Sequence, residues 1–341
     1  MNPTSTPPLV VRFGAFGDMV LMIPVLKLLR ERYGQPCDVV SSGPWTEPLL
    51  SRVSSAGQRV YLTSRRAPYW FNRSQQDFVR WLKKRPAGPV YVFEPDEKPL
   101  ALLRRGGVAL EWICTWRDLP REPREHILAH AFRLARQTPP ALAGKVPEPA
   151  HIPDARPEIT DADRRECDAW LAEQNLAGKP IVLIQAGNKK TMRRGPRQRA
   201  SNLKYWPEER WAAIVAGVHA AMPTAGLVLC GSPSERALID DIRSRVPATV
   251  PTAVASGILR VLALQERAHS MISVDTGPAH SAAALGCPLT VLFASPPDLY
   301  APIPTTADVR ILRPENPSGE SPLLGLTPET VLAAWQELAK R

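Results

Sequence analysis

Cysteine, aromatic residues and long apolar runs are all scarce in this chain of 341 residues, and each scarcity excludes a class of protein. The five cysteines, Cys37, Cys114, Cys167, Cys230 and Cys287, lie far apart and form no Cys-x-x-Cys pair. That pattern argues against a disulfide framework or a structural zinc site and suits a reducing compartment, so a cytoplasmic location is expected. No window reaches the ~18 uninterrupted apolar residues of a membrane span, and MNPTSTPPLVVRFGAFGDMV has no basic stretch ahead of its apolar one. A chain that is soluble, or peripheral at most, is expected. Aromatic residues make up only 6%, with no dense stacking platform and no nucleic-acid recognition motif, which ranks nucleic acid last among anionic partners. No short-period repeat is visible.

Basic residues are not scarce. The 43 Lys and Arg against 33 Asp and Glu leave a formal charge of +10. Such a balance favours nucleotides, phosphorylated sugars or an acidic membrane surface as partners without choosing among them. Length alone suggests two domains.

Short β-rich runs alternate with helical patterns: LVVRF (9–13), CDVVS (37–41), RVYL (59–62), VYVFE (90–94) and VALEWI (108–113). This rhythm reads as βαβ units around a parallel sheet. Pro139, Pro140, Pro147, Pro149, Pro153 and Pro157 then crowd a segment that sustains neither helix nor central strand. After a helix expected over 160–175, the rhythm restarts with IVLIQ (181–185), GLVLC (226–230), SMISV (270–274) and LTVLF (289–293). Thr327 as N-cap and Pro328 at the first helical position open a closing helix. The expected division is an N-terminal Rossmann-like domain over 1–150, a linker and connecting helix over 151–178, a C-terminal Rossmann-like domain over 179–325, and the closing helix over 326–341.

Doubly wound sheets bind ligands beyond the carboxyl ends of their strands. Strand 9–13 runs into Gly14, Ala15, Phe16, Gly17 and Asp18, which resembles a dinucleotide fingerprint but lacks the G-x-G-x-x-G spacing. Two roles suit Asp18: a helix cap that satisfies a free N–H, or a general base with the glycines clearing room for a substrate hydroxyl. In the second half, SVDTGPAHSAAALGCPLTVLF (273–293) ends a strand at Asp275, Thr276 and Gly277 and starts a small-residue helix near Pro278. A helix start offers unpaired donors and partial positive charge for a diphosphate, with Thr276 adding a hydroxyl and Gly277 admitting the ligand. Asp275 fits a cap equally, and His280 fits a buried histidine bonded to a carbonyl as well as a ligand contact.

FGDMVLMIPVL together with VDTGPAHSAAALGCPLTVLF, in this order and spacing and with KYWPEERW (204–211) between them, resembles the ADP-heptose:lipopolysaccharide heptosyltransferases, glycosyltransferase family 9. The resemblance implies the GT-B fold, two Rossmann-like doubly wound domains facing a central cleft. It also implies an inverting, metal-independent transfer of a sugar from a nucleotide diphosphate-sugar to a hydroxyl, with no cofactor. By the same resemblance Asp18 is the catalytic base. Lys204, Asp275, Thr276, Gly277 and His280 bind the donor, with Glu235 at its ribose hydroxyls; Gly17, which lets a ligand approach beside Asp18, and Asn188 and Lys189, which stand where relatives carry phosphate-holding hydroxyl residues, complete the expected donor set. Elementary chemistry agrees with the outline: such a transfer needs a base, a fixed electrophile and stabilisation of a departing diphosphate. No Asp-x-Asp pair stands at a strand end, so protein groups must meet the leaving charge, Lys204 first among them.

The chain departs from that family between IQAGN and KYWP, where KKTMRRGPRQRASNL carries Lys189, Lys190, Arg193, Arg194, Arg197 and Arg199 before Lys204. Relatives have a shorter connection with hydroxyl residues near its start. Here a solvated loop and a lid over phosphate are both open readings. A second basic-aromatic patch, SRRAPYWFNR (64–73), lies on the expected acceptor side. Trp70 and Phe71 suit either the core or a surface, while Arg65, Arg66 and Arg73 suit an anionic glycolipid acceptor or peripheral contact with the cytoplasmic face of an inner membrane. A nucleotide-sugar epimerase of similar two-domain fold is the alternative, and an anion- or nucleic-acid-binding protein comes after it.

Overall fold

The structure is a computed structural model that describes residues 6–64, 68–188, 202–306, 308–315 and 322–339. The chain forms two compact units, Met1–Glu158 and Ile159–Arg341.

The first unit holds β1 (Leu9–Val11), β2 (Cys37–Ser41), β3 (Ala56–Tyr61), β4 (Val90–Val92) and β5 (Ile113–Thr115) in one sheet of order β3-β2-β1-β4-β5. Every pairing is parallel. Both faces of such a sheet are covered, so its central strands are apolar throughout, and LVV of β1 is buried at each position. Helix α1 (Phe16–Tyr33) follows β1 and is buried along most of its length, from Met19 to Leu29 with Lys27 as the principal break. Gly34 ends it in the left-handed conformation at φ 70°, where a side chain would be strained. The unit continues through α2 (Glu47–Leu50), α3 (Arg73–Lys84), α4 (Glu97–Arg105) and α5 (Ile127–Arg136), the last packed on α1. The run VALEWI is not a strand. Leu110 and Glu111 are exposed in a 3-10 turn, and β5 begins only at Ile113, where Val90 of β4 supplies a partner.

The second unit opens with α6 (Asp161–Glu173), capped by Thr160, whose hydroxyl accepts from Asp163 N at 3.2 Å while Thr160 N donates to Asp163 Oδ2 at 3.0 Å. Its sheet contains β6 (Ile181–Gln185), β7 (Gly226–Cys230), β8 (Thr252–Ala255), β9 (Ser270–Val274), β10 (Leu289–Leu292) and β11 (Val309–Leu312), in the order β11-β10-β9-β6-β7-β8. The short edge strands β8 and β11 have no counterpart in the hydrophobic reading. Their residues alternate or are only half-buried, the pattern of an edge. Helices α7 (Glu208–Ala221), α8 (Arg236–Arg245), α9 (Ile258–Arg267), α10 (Gly277–Leu285) and α11 (Pro328–Ala339) flank the sheet. The closing helix is fastened by Trp335, whose indole N–H donates to Ser270 Oγ at 2.8 Å in the core. Thr327 Oγ1 accepts from Thr330 N at 3.3 Å at its start.

All five cysteines are free and buried. Burial pushes the thiols of Cys114, Cys230 and Cys287 up to about 12.

Candidate active site

Each sheet has one place where the strand order reverses, and crevices open there because the connections on either side leave for opposite faces. In the first unit that place lies between β1 and β4. Arg12, Phe13 and Asp18 follow β1, and Phe93 and Glu94 follow β4. The Arg12 guanidinium gathers this end of the sheet. Its Nη2 donates to Asp18 Oδ1 at 2.7 Å, and its Nη1 to Phe93 O at 2.8 Å and Glu94 Oε1 at 3.3 Å. Its Cζ lies 5.1 Å from the ring centroid of Trp116. Glu94 is buried and also accepts from Phe13 N at 2.7 Å. Charge-assisted bonds of this kind fix side-chain direction more firmly than neutral ones.

Asp18 is not the N-cap. Ala15 occupies that position, and Asp18 stands three residues on, with Oδ2 accepting from Ala15 N at 2.6 Å. Only half of a capping box exists, since alanine has no acceptor to return. Each carboxylate oxygen keeps a further lone pair for a ligand hydroxyl, and the side chain is 25% exposed. Gly14 makes this placement possible: a Cβ there would lie 2.2 Å from Asp18 Cβ. The glycine clears space for the aspartate itself. Gly17 is buried inside the first turn of α1. Asp18, Met22, Trp116, Leu128 and Ala131 line a small recess beside Arg12.

In the second unit the reversal lies between β6 and β9. Gly187 and Asn188 follow β6, and Asp275 and Thr276 follow β9. Lys204 Nζ pairs with Asp275 Oδ2 at 2.5 Å, and a short relay ties it to the β6 loop. Lys204 N donates to Asn202 Oδ1 and Asn202 Nδ2 donates to Asn188 Oδ1, both at 3.2 Å. The aromatic residues after Lys204 are structural. Trp206 and Trp211 are buried edge to face, and Trp206 Nε1 donates to Leu326 O at 3.1 Å. The lysine is thus held two residues from a core anchor.

Thr276 is the N-cap of α10, yet its buried hydroxyl makes no capping bond and has no partner among the described residues. Pro278 brings no N–H, and the N–H groups of Ala279 and His280 already reach Thr276 O at 3.1 and 3.4 Å. The backbone donor left at this end is therefore that of Gly277, fewer than a helix start usually offers. His280 is buried in the same turn. Glu235 is also buried. Its Oε2 accepts from Ser232 N and Oγ at 2.8 and 2.7 Å, and Gln185 Nε2 lies 3.4 Å from Oε1. Gly187 admits that carboxylate, since a Cβ on it would meet Glu235 Oε1 at 2.2 Å.

The structure thus joins Asn188, Lys204, Asp275, Thr276, Gly277 and His280 around one strand-end cluster, with Glu235 across Gly187 from the same loop. Arg73 opens α3, and no hydrogen bond or ion pair links it to Asp18 among the described residues. Lys189, Arg65 and Arg66 lie outside the described residues, as do Arg193, Arg194, Arg197 and Arg199. Sequence reasoning missed Arg12, Glu94 and Trp116. The available signal was a charge at the carboxyl end of an otherwise apolar run, in LVVRF and in VYVFE.

Two parallel doubly wound units, each with polar groups gathered at the reversal of its sheet, are the GT-B architecture of nucleotide-sugar glycosyltransferases. The chain belongs to glycosyltransferase family 9 (heptosyltransferase), whose family model matches residues 104–321. That match contains Lys204 and the 275–280 turn, whereas Asp18 precedes it. No curated protein sequence is matched. Among solved structures, ADP-heptose lps heptosyltransferase II of E. coli superposes with a TM-score of 0.74 at 19% identity, covering 98% of each chain. A family 9 glycosyl transferase from Veillonella parvula gives 0.76 at 16% identity, over 98% of this chain and 97% of that one. E. coli heptosyltransferase WaaC with ADP gives 0.69 at 18% identity, over 98% of this chain and 100% of that one. The protein is accordingly a heptosyltransferase-type glycosyltransferase, and family membership decides against the epimerase reading.

Proposed function

We propose that the enzyme transfers a heptose from ADP-heptose to a hydroxyl of a lipopolysaccharide core or related bacterial glycan, with inversion and without a metal ion. The observation that carries this reading is that the first unit orients a carboxylate, Asp18, at its own sheet reversal, while the second sets a cation, Lys204, and the unpartnered donors of Thr276 and Gly277 at its own. Asp18 takes the proton of the acceptor hydroxyl as its oxygen attacks the anomeric carbon. The bond from that carbon to the phosphate oxygen breaks, and the nucleoside diphosphate leaves with the electron pair. Lys204 Nζ, Thr276 Oγ1 and Gly277 N–H meet the charge that develops on the diphosphate. Asp275 aims the lysine, and Arg12 with Glu94 aims the base. Glu235 serves the ribose hydroxyls, while Gly17, Asn188, Lys189 and His280 complete the donor site. Arg65, Arg66 and Arg73 attract an anionic acceptor.

Two observations support the rest. E. coli heptosyltransferase WaaC has been solved with ADP and with ADP-2-deoxy-2-fluoro heptose, which favours that donor over other nucleotide-sugars. Membership of family 9 favours a mechanism in which protein groups carry the leaving charge. No described helix is long and apolar enough to cross a membrane, and cytoplasmic work at the face of an inner membrane is part of the proposal. The test is nucleotide release from a panel of nucleotide-sugars, with and without core oligosaccharide and with and without EDTA. Acceptor-dependent release from ADP-heptose that survives chelation is expected. Release restored only by magnesium or manganese, or donor conversion without acceptor, overturns it.

A further inference from the structure

Most large apolar side chains of the first unit are buried, but Trp70 and Phe71, consecutive in the chain, are 72% and 86% exposed. They do not belong to the core. Nor do they sit on a loose loop, because the 3-10 turn Tyr69–Phe71 that carries them is hydrogen-bonded on every side. Phe71 N donates to Pro68 O and Asn72 N to Tyr69 O, both at 3.1 Å. Gln76 Nε2 reaches Tyr69 O at 3.2 Å and Trp70 O at 3.0 Å. The buried Asn72 caps α3 through Gln75 N at 3.1 Å and donates to Ser64 O at 2.8 Å. Tyr69 packs against the core below, and its ring meets Trp70 edge to face at 5.3 Å. A turn this well fastened presents its two aromatic tips outward.

The cations around it are equally unspent. The Arg105 guanidinium lies 4.8 Å from the Tyr69 centroid and 5.8 Å from that of Trp70, and Arg73 follows the turn directly. Both arginines are exposed, and neither pairs with a carboxylate among the described residues. Their neighbours Arg104 and Arg80, by contrast, pair with Glu97 and Asp77. An adjacent Trp and Phe lose favourable burial by facing water, and an arginine stacked on an aromatic face keeps its charge available at the same height as the ring. Aromatic rings and basic side chains side by side match the boundary between acyl chains and anionic headgroups.

We propose that the Tyr69–Phe71 turn, with Arg73 and Arg105, is an interfacial anchor that docks the first unit on an anionic lipid bilayer. This deepens the peripheral membrane contact proposed above by naming the residues that make it. Vesicle binding is measured without turnover. Its failure therefore leaves the transfer reading standing, and an inactive chain that binds vesicles leaves the anchor standing.

The experiment is co-sedimentation of the full chain with phosphatidylglycerol-containing vesicles and with phosphatidylcholine vesicles, at low and high salt. Wild type is expected to partition onto the anionic vesicles and to be released by salt. W70S/F71S is expected to weaken partitioning at least ~10-fold, with its melting temperature unchanged because both side chains are exposed. R73S/R105S is expected to lose the preference for anionic over zwitterionic vesicles. Equal binding by wild type and W70S/F71S overturns the anchor, as does wild type that ignores anionic vesicles. An aromatic-dependent dimer in lipid-free sedimentation, without vesicle binding, assigns the turn to a second copy of the chain and likewise overturns it.

Discussion

The two units build similar sheets and then treat the reversal point in opposite ways. In the first, the charged groups satisfy one another: Arg12 bonds Asp18, Glu94 and Phe93 O together, and the Trp116 face covers the guanidinium, leaving only the buried Trp116 indole N–H of this cluster without a partner among the described residues. In the second, part of the polar set is left open, with the buried Thr276 hydroxyl unpartnered and Pro278 withdrawing an N–H where a helix start would normally show one. A proposed base must be held in one direction before its small neutral partner arrives, whereas a diphosphate brings enough charge to complete a site left incomplete. Unsatisfied buried groups cost free energy, a cost that the proposed diphosphate would offset.

Removing the proposed base breaks the comparison most severely. Asp18→Asn keeps an oxygen for the Ala15 N–H and should preserve fold and donor KM, yet lower kcat by ~10²–10⁴-fold; equilibrium binding of ADP alongside steady-state kinetics checks both halves. Near-normal turnover would reduce Asp18 to a helix-start residue. On the other side, Lys204→Met should raise donor KM by about tenfold, the low end for a charged contact because the lysine is partly exposed. Acceptor KM should stay level, and the reverse result would exchange the duties of the two units.

Arg12→Lys sharpens the contrast. It retains one positive charge but loses the fork that reaches Asp18, Phe93 and Glu94 together, so kcat should drop by roughly tenfold with both KM values little changed. The smallest effect belongs to the cysteines. With burial raising the Cys114, Cys230 and Cys287 thiols to about 12, dithionitrobenzoate at mildly alkaline pH should label none of the five in the folded protein and all of them in denaturant. Labelling restricted to Cys37 and Cys114 in mild denaturant would show the first unit opening before the second.

Strand positions such as CDVVS and IVLIQ were legible because a central parallel strand is buried on both faces and must be apolar throughout. VALEWI misled for the same reason, as its apolar count exceeds what one edge partner, β4, can bury. The 252–255 and 309–312 strands escaped notice because an edge needs only one covered face. At the site, Asp18, Lys204 and Asp275 stood out through glycine and helix-start chemistry. Arg12 and Glu94 did not, since each is a lone charge beside its own strand.

By itself the sequence determined the central strands of both sheets, the division into two βαβ series, and the small-residue turns that open α1 and α10, all matters of local periodicity and backbone permissiveness. Only the tertiary structure decided that Asp18 lies three residues inside its cap, that Arg12 and Glu94, 82 positions apart, share one ion pair, and that Lys204 meets Asp275. The last two contacts join segments that become neighbours only when the sheet order is set. That order comes from packing across the whole unit rather than from any window along the chain.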